Sequence, residues 1–163
     1  MAVDMFLKLD GDKFKGESRD KTHVGKIDIL AWSWGMSNSG TAHMGGGAGA
    51  GKANVQDLSV TKYVDASSAA LLLACATGEH IPTANLIVRK AGTTPLEYIK
   101  IDLTECLITA VSTGGSGGED RLTENVTINF AKVKFTYTEQ DATGKPKSPD
   151  KTMSFDIAAN VKE

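Results

Sequence analysis

Arg121-Leu122-Thr123-Glu124-Asn125-Val126-Thr127-Ile128-Asn129-Phe130-Ala131-Lys132-Val133-Lys134-Phe135-Thr136-Tyr137 alternates apolar and polar residues along its length, but not in one phase. Val126, Ile128 and Phe130 occupy one face, whereas Val133, Phe135 and Tyr137 fall on the other parity. Successive side chains of a strand point to opposite faces, so one extra residue near Ala131-Lys132 restores a common inward side. The pattern predicts one long strand with a bulge or sharp bend there, able to turn a corner between two sheets.

The same alternation recurs on both sides of this stretch. Met5, Leu7 and Leu9 share a face, and Ile99, Ile101 and Leu103 lie opposite Tyr98, Lys100 and Asp102. Met153, Phe155, Ile157, Ala159 and Val161 alternate with polar or small residues to the end of the sequence. Residues 55–64 are rich in β-branched side chains. All are predicted as half-buried antiparallel strands. One segment is different. Ala69-Ala70-Leu71-Leu72-Leu73-Ala74 predicts a helix over 66–76, capped by Asp65 or Ser67 and stopped by Thr77-Gly78, with Pro82 beyond. It is apolar around most of its circumference, so it is expected to be covered on more than one side, in part by another subunit.

Residues 35–54 are dominated by glycine, alanine and serine. Within them Gly46-Gly47-Ala48-Gly49-Ala50-Gly51-Lys52 approaches the phosphate-loop pattern G-x-x-x-x-G-K-[ST], in which backbone N–H groups surround phosphate oxygens. Position 53 is alanine, so the hydroxyl that would hold Mg²⁺ is missing, and the residues after Lys52 are strand-like rather than helical. The better reading is an extended arm. Thr113-Gly114-Gly115-Ser116-Gly117-Gly118-Glu119-Asp120 is a second glycine-rich loop, without a lysine. Residues 142–150 form a polar, mobile hairpin tip.

At 163 residues and a net charge of −2, the sequence fits a single domain spanning 1–163, with no basic stripe for nucleic acid and no membrane span. Its N-terminus lacks the pattern of a cleaved secretory signal, which predicts synthesis in the cytoplasm and any export by a route without a leader. Cys75 and Cys106 are expected as free thiols filling the core. His23, His43 and His80 show no metal-ligand spacing. Neither a catalytic site, a metal nor a cofactor is expected.

These residues together resemble one family, Hcp, the haemolysin-coregulated protein that forms the inner tube of the bacterial type VI secretion system. The likeness runs through Phe6-Leu7-Lys8, Gly16-Glu17-Ser18, Ile27-Asp28, Trp32-Ser33-Trp34-Gly35-Met36, His43-Met44 and Val55-Gln56-Asp57-Leu58. It continues with Thr61-Lys62-Tyr63-Val64-Asp65, Ala74-Cys75 before Gly78, and Arg89-Lys90-Ala91-Gly92. The unbroken Val111-Ser112-Thr113-Gly114-Gly115-Ser116-Gly117-Gly118-Glu119-Asp120-Arg121-Leu122-Thr123-Glu124-Asn125-Val126 is its most specific element, and the likeness fades after Tyr137.

The resemblance implies a mainly β fold: a small β-barrel of two antiparallel sheets with one flanking α-helix and long glycine-rich loops. It further implies a homo-hexameric ring, stacking of rings into a tube, and a contractile sheath and a spike or tip protein as partners, with small effector proteins carried in the channel. The arm over 40–54, with Gly45, Gly46, Gly47, Gly49, Gly51 and Lys52, corresponds to the loop that reaches an adjacent ring. Trp32 and Trp34 share one face, with Ala31, Ser33 and Gly35 on the other. The indoles are expected in the core, and Ser33 at the channel, with Ser116 as a second contact for effectors. Two alternatives remain open on the residues alone. One is a monomeric carbohydrate- or protein-binding β-sandwich, with the tryptophans as an exposed sugar platform. The other is a nucleotide-dependent enzyme, resting only on residues 46–52.

Overall fold

The computed structural model describes residues 2–43 and 50–163. In chain order the elements are β1 (Val3–Leu9), β2 (Ile27–Ser33), β3 (Met36–Gly40), β4 (Ala50–Val55), β5 (Leu58–Tyr63) and α1 (Ser68–Thr77), followed by β6 (His80–Lys90), β7 (Leu96–Thr113), β8 (Thr123–Gln140), β9 (Pro146–Asp156) and β10 (Val161–Lys162). β8, β5, β2, β1, β6 and β7 pair in that order, and β7 pairs back with β8, closing the six strands into a barrel. β9 and β10 continue the sheet past β8, and β3 with β4 forms a separate two-stranded sheet. The expected mainly β barrel with one flanking helix is the fold the chain adopts.

Closure works because β7 and β8 bend together. Inward side chains of β8 run Val126, Ile128 and Phe130, then shift parity to Val133; those of β7 run Ile101 and Leu103, then shift to Cys106 and Ile108. The ladder keeps one register through this point, from Ile99↔Tyr137 to Ile108↔Ile128. The expected bend near Ala131 is therefore present, but without a slipped residue on β8 there. The irregular residue is on the partner strand: Glu105, which that register places opposite Ala131, has φ 55. In the ladder with β6, Glu105 falls opposite Pro82, which has no N–H to donate. Pro82, Glu105 and Ala131 thus mark one line across three strands, along which the sheet turns. Beyond it β8 exchanges β5 for β9 as its second neighbour.

The interior is filled by side chains, as in other small barrels. Leu7, Ile27, Leu58, Leu86, Ile101, Leu103 and Ile128 are buried in one cluster with Leu71 and Ala74 of α1. Gly78 ends the helix in the left-handed region at φ 66 and ψ 35, with the Glu79 N–H bonded to the Ala74 carbonyl at 3.1 Å. The helix starts at Ser68, two residues later than predicted. Ser67 makes no side-chain cap; instead the Asp65 carboxylate accepts the Ser67 N–H at 2.9 Å.

Two other expectations are corrected. The strand predicted to run through Val161 stops at Asp156. Asp156 accepts the Ala159 N–H at 3.0 Å, and a turn containing Asn160 at φ 56 returns the chain as β10. The hairpin tip is shorter than residues 142–150, because β9 begins at Pro146. Asp141 organises the tip by accepting from the Thr143 and Lys145 N–H groups at 2.8 and 3.0 Å.

The connection from β1 to β2 carries few apolar groups and is held by charge. The guanidinium of Arg89, on β6, donates to Asp20 at 2.5 Å and to Asp4 at 3.0 Å. The Phe6 ring centroid is 5.2 Å from that guanidinium and 4.5 Å from the stacked ring of His23. The hydrogen bond from Arg89 holds the Asp20 carboxyl well below its ordinary 3.8. A depressed carboxylate value gives stability that is present above 3.8 and is lost as pH falls beneath it. Wild type should therefore lose stability more steeply below that pH than Asp20→Asn, which should be the weaker protein at neutral pH. Parallel pH–stability curves from urea unfolding would remove Asp20 from this role.

Candidate functional site: an uncharged wall and an apolar helix face

The barrel wall formed by β2, β5, β8 and β7 has a water-facing side, and strand register aligns its residues. Ser33 pairs with Ser59, Ser59 with Thr127, and Thr127 with Ala110. One step along, Ala31 pairs with Thr61, Thr61 with Asn125, and Asn125 with Ser112. The two rows are made of hydroxyl, amide and methyl groups, and none of their members is charged. The Thr61 hydroxyl donates to Asn125 Oδ1 at 2.7 Å. At the margin Asp57 is engaged through both oxygens, accepting from Asn129 at 2.8 Å and from Thr109 at 3.0 Å.

Ser33 is exposed, as its parity predicts, while Trp32 and Trp34 are half-buried and pack against the core. Trp34 stacks on Phe135 at 6.4 Å and tilts against Phe130 at 6.5 Å. The indoles therefore pack against the core, as expected, and are not an exposed platform.

Ser116 lies on the rim of the same wall. It borders a shallow depression of about 290 Å³ together with Ser112, Thr113, Glu119 and Asn125, two of which belong to the second row. A Cβ at Gly115 would sit 2.5 Å from the end of the Leu122 side chain, which is exposed and would have to shift to admit it. The fold thus brings Ser33 and Ser116, far apart in sequence, to one surface. Ser59, Thr61, Asn125, Thr127 and Ser112 join them there. Alternation shows which side each residue faces, but only pairing register shows who its neighbours are.

Of the arm residues, Gly45, Gly46, Gly47 and Gly49 lie outside the described residues, whereas Gly51 and Lys52 belong to β4. The arm is thus not wholly a loop. Met36 pairs with Val55, Ser37 with Asn54, and Asn38 with Ala53, and the Asn38 amide donates to the Gly51 carbonyl at 2.6 Å. A phosphate-loop lysine opens a helix; Lys52 is inside a strand, which removes the nucleotide reading.

A second surface is apolar. α1 buries Leu71 and Ala74, yet Leu72 is 43% exposed and Leu73 63% exposed. Cys75 on this helix is a half-buried free thiol. Burial pushes the Cys106 thiol up to about 12, so it is inert filler as expected. No helix among the described residues is long and apolar enough to cross a membrane.

The chain is thus a closed β-barrel with two uncharged rows on its wall and an exposed apolar face on its helix. Comparison with known proteins gives the family. The model of "Type VI secretion system effector, Hcp" matches residues 6–137, ending where the likeness was expected to fade. Protein hcp1 of Pseudomonas aeruginosa is 58% identical over 162 residues, covering 99% of each chain. The crystal structure of Hcp1 from Salmonella typhimurium is 37% identical, covers 100% of both chains and superposes with a TM-score of 0.81. A structure described as a type six secretion system protein is 30% identical, covering 99% of this chain and 100% of that one, with a TM-score of 0.92. The chain belongs to the Hcp family of the type VI secretion system.

Proposed function

We propose that this chain is the structural subunit of a type VI secretion tube and has no catalytic role. Six copies close into a ring, and rings stack into a tube that a contractile sheath expels behind a spike. Small effector proteins travel in the channel against the Ser33 wall. Synthesis is cytoplasmic, and export proceeds through the apparatus. The glycine segment with Gly45, Gly46, Gly47, Gly49, Gly51 and Lys52 bridges one ring to the next, where small residues permit close backbone approach.

The observation that carries the ring is the outer face of α1. A helix whose exposed side is leucine gains by burying it against a neighbour, at roughly 25 cal/mol per Å² of apolar surface. A closed ring supplies that neighbour by repeating one heterologous contact. Native mass spectrometry should show a species of roughly six monomer masses. A protein that stays monomeric at micromolar concentration would defeat the proposal.

Cargo contact is tested at Ser33. Its side chain is exposed and opposite the tryptophans, so Ser33→Gln should leave rings and thermal stability unchanged. Glutamine would project into the channel and lower retention of at least one small effector, a modest effect per subunit that repetition around the ring enlarges. Co-purification of every native effector at wild-type yield would take Ser33 off the contact surface.

A further inference from the structure

Lys62 and Glu124 are sealed inside the molecule, at 0% and 1% exposure. They face each other across β5 and β8, on the inward parity that Val60 and Val126 also occupy. Lys62 Nζ contacts Glu124 Oε1, and reaches Asp65 Oδ1 at 3.1 Å and Ser68 Oγ at 3.3 Å. The Ser68 hydroxyl donates to Glu124 Oε1 at 2.6 Å and accepts the Asp65 N–H at 2.9 Å. Asp65 in turn accepts from the Ser67 N–H, and Glu17 accepts the Ala66 N–H at 3.0 Å. The pair thus meets the chain at Asp65 and at Ser68, the first residue of α1.

Stability alone does not account for such an arrangement. Desolvation offsets most of the attraction in a buried ion pair, and apolar residues of similar volume hold a core equally well. Glu124 Oε2 moreover has no hydrogen-bond partner, which adds cost. What an apolar pair cannot do is set the rotation of this helix. α1 carries three consecutive leucines and is apolar on nearly every side, so burial by itself scarcely distinguishes Leu71 from Leu72 or Leu73 as the inward residue. A hydrogen bond from one defined position, Ser68, does distinguish them.

We infer that the Lys62–Glu124–Ser68 network is a positioning device: it selects the rotational setting of α1 that buries Leu71 and leaves Leu72 and Leu73 outward for the neighbouring subunit. This rests on the ring reading above. If the outward setting falls to about a tenth of the population, apparent ring affinity falls about tenfold.

The test compares wild type with Lys62→Met/Glu124→Leu and with Ser68→Ala, which keeps the ion pair and its Lys62–Asp65 contact but removes the hydrogen bonds that join it to the first residue of the helix. Ring formation is followed by dilution. Urea unfolding and thiol labelling are measured at a dilution where all proteins are monomeric. Both variants should need about tenfold higher concentration to form rings, with the monomer unfolding midpoint of the double variant kept. Labelling of Cys75, on the Leu71 side of α1, should accelerate several-fold, while buried Cys106 stays silent. Wild-type ring midpoints together with a wild-type Cys75 rate would overturn the inference, as would a fall in monomer stability that accounts for the ring defect. Should the double variant be insoluble, Ser68→Ala decides by the same two readouts. Should wild type form no rings at all, the ring reading fails, and Cys75 labelling of the monomers still decides the positioning role.

Discussion

Lys62→Met with Glu124 left in place is expected to destabilise the monomer by about 3–5 kcal/mol, the usual cost of orphaning one member of a buried ion pair. Of the contacts made by Glu124 Oε1, only the Ser68 hydroxyl at 2.6 Å would remain, in a site with almost no access to water. Adding Glu124→Leu should recover most of the loss, because it removes the stranded Glu124 charge, while Asp65, which also loses Lys62, keeps the Ser67 N–H and hydroxyl as donors. The pair of measurements is a double-mutant comparison between residues in direct contact, where effects are not additive. Urea unfolding at fixed, low concentration is the measurement, since ring formation would otherwise shift apparent stability. A single variant as stable as wild type would show that Glu124 is not sealed as its exposure indicates.

The second large effect is on assembly. Leu73→Glu should leave the monomer within about 0.5 kcal/mol of wild type, as for most surface substitutions, because Leu73 is 63% exposed in the single subunit. In a ring it would lose roughly 1.5–3 kcal/mol of apolar burial and would also bring an unpaired carboxylate into each contact. The loss corresponds to roughly ten- to a hundredfold per contact, and ring closure repeats it at every interface. Sedimentation velocity at micromolar concentration should show monomers or small open fragments. Wild-type rings from this variant would mean that the outer face of α1 is not the contact surface, and another patch must then be sought.

Much of the fold follows from local pattern. Alternation in Met5 to Leu9 and in Ile99 to Leu103 is visible because a half-buried strand must place apolar groups at every second position. The parity shift at Ala131 announced the corner. Leu103 followed by Cys106 carries the same signal on β7, and matching the two shifts would have suggested that these strands pair. The buried ion pair was also partly legible, since Lys62 follows Leu58 and Val60 on one parity, and Glu124 precedes Val126 and Ile128. Two opposite charges on inward faces are each costly alone, and that cost points to a partner.

The hairpin of β3 and β4 was hidden for the opposite reason. Glycine, alanine and serine have weak strand preference, and its pairing rests on backbone hydrogen bonds with little side-chain signal. The turn that splits β9 from β10 was hidden because Ile157 to Val161 keeps the alternation of a strand, while Asn160 takes a left-handed conformation that alternation does not report.

By itself the sequence determined the strands around residues 5–9, 99–103 and 121–137 and the side their residues face, the helix with its glycine stop, and, through residues such as 111–126, the family. Those are short-range or directly recorded properties. Only the tertiary structure decided that β7 returns to β8, that Ser33, Ser59 and Thr127 stand in one row, and that Leu71 rather than Leu72 or Leu73 faces inward. Each of these depends on register or rotation between segments distant in sequence, where several pairings satisfy the same local pattern and the packed core selects one.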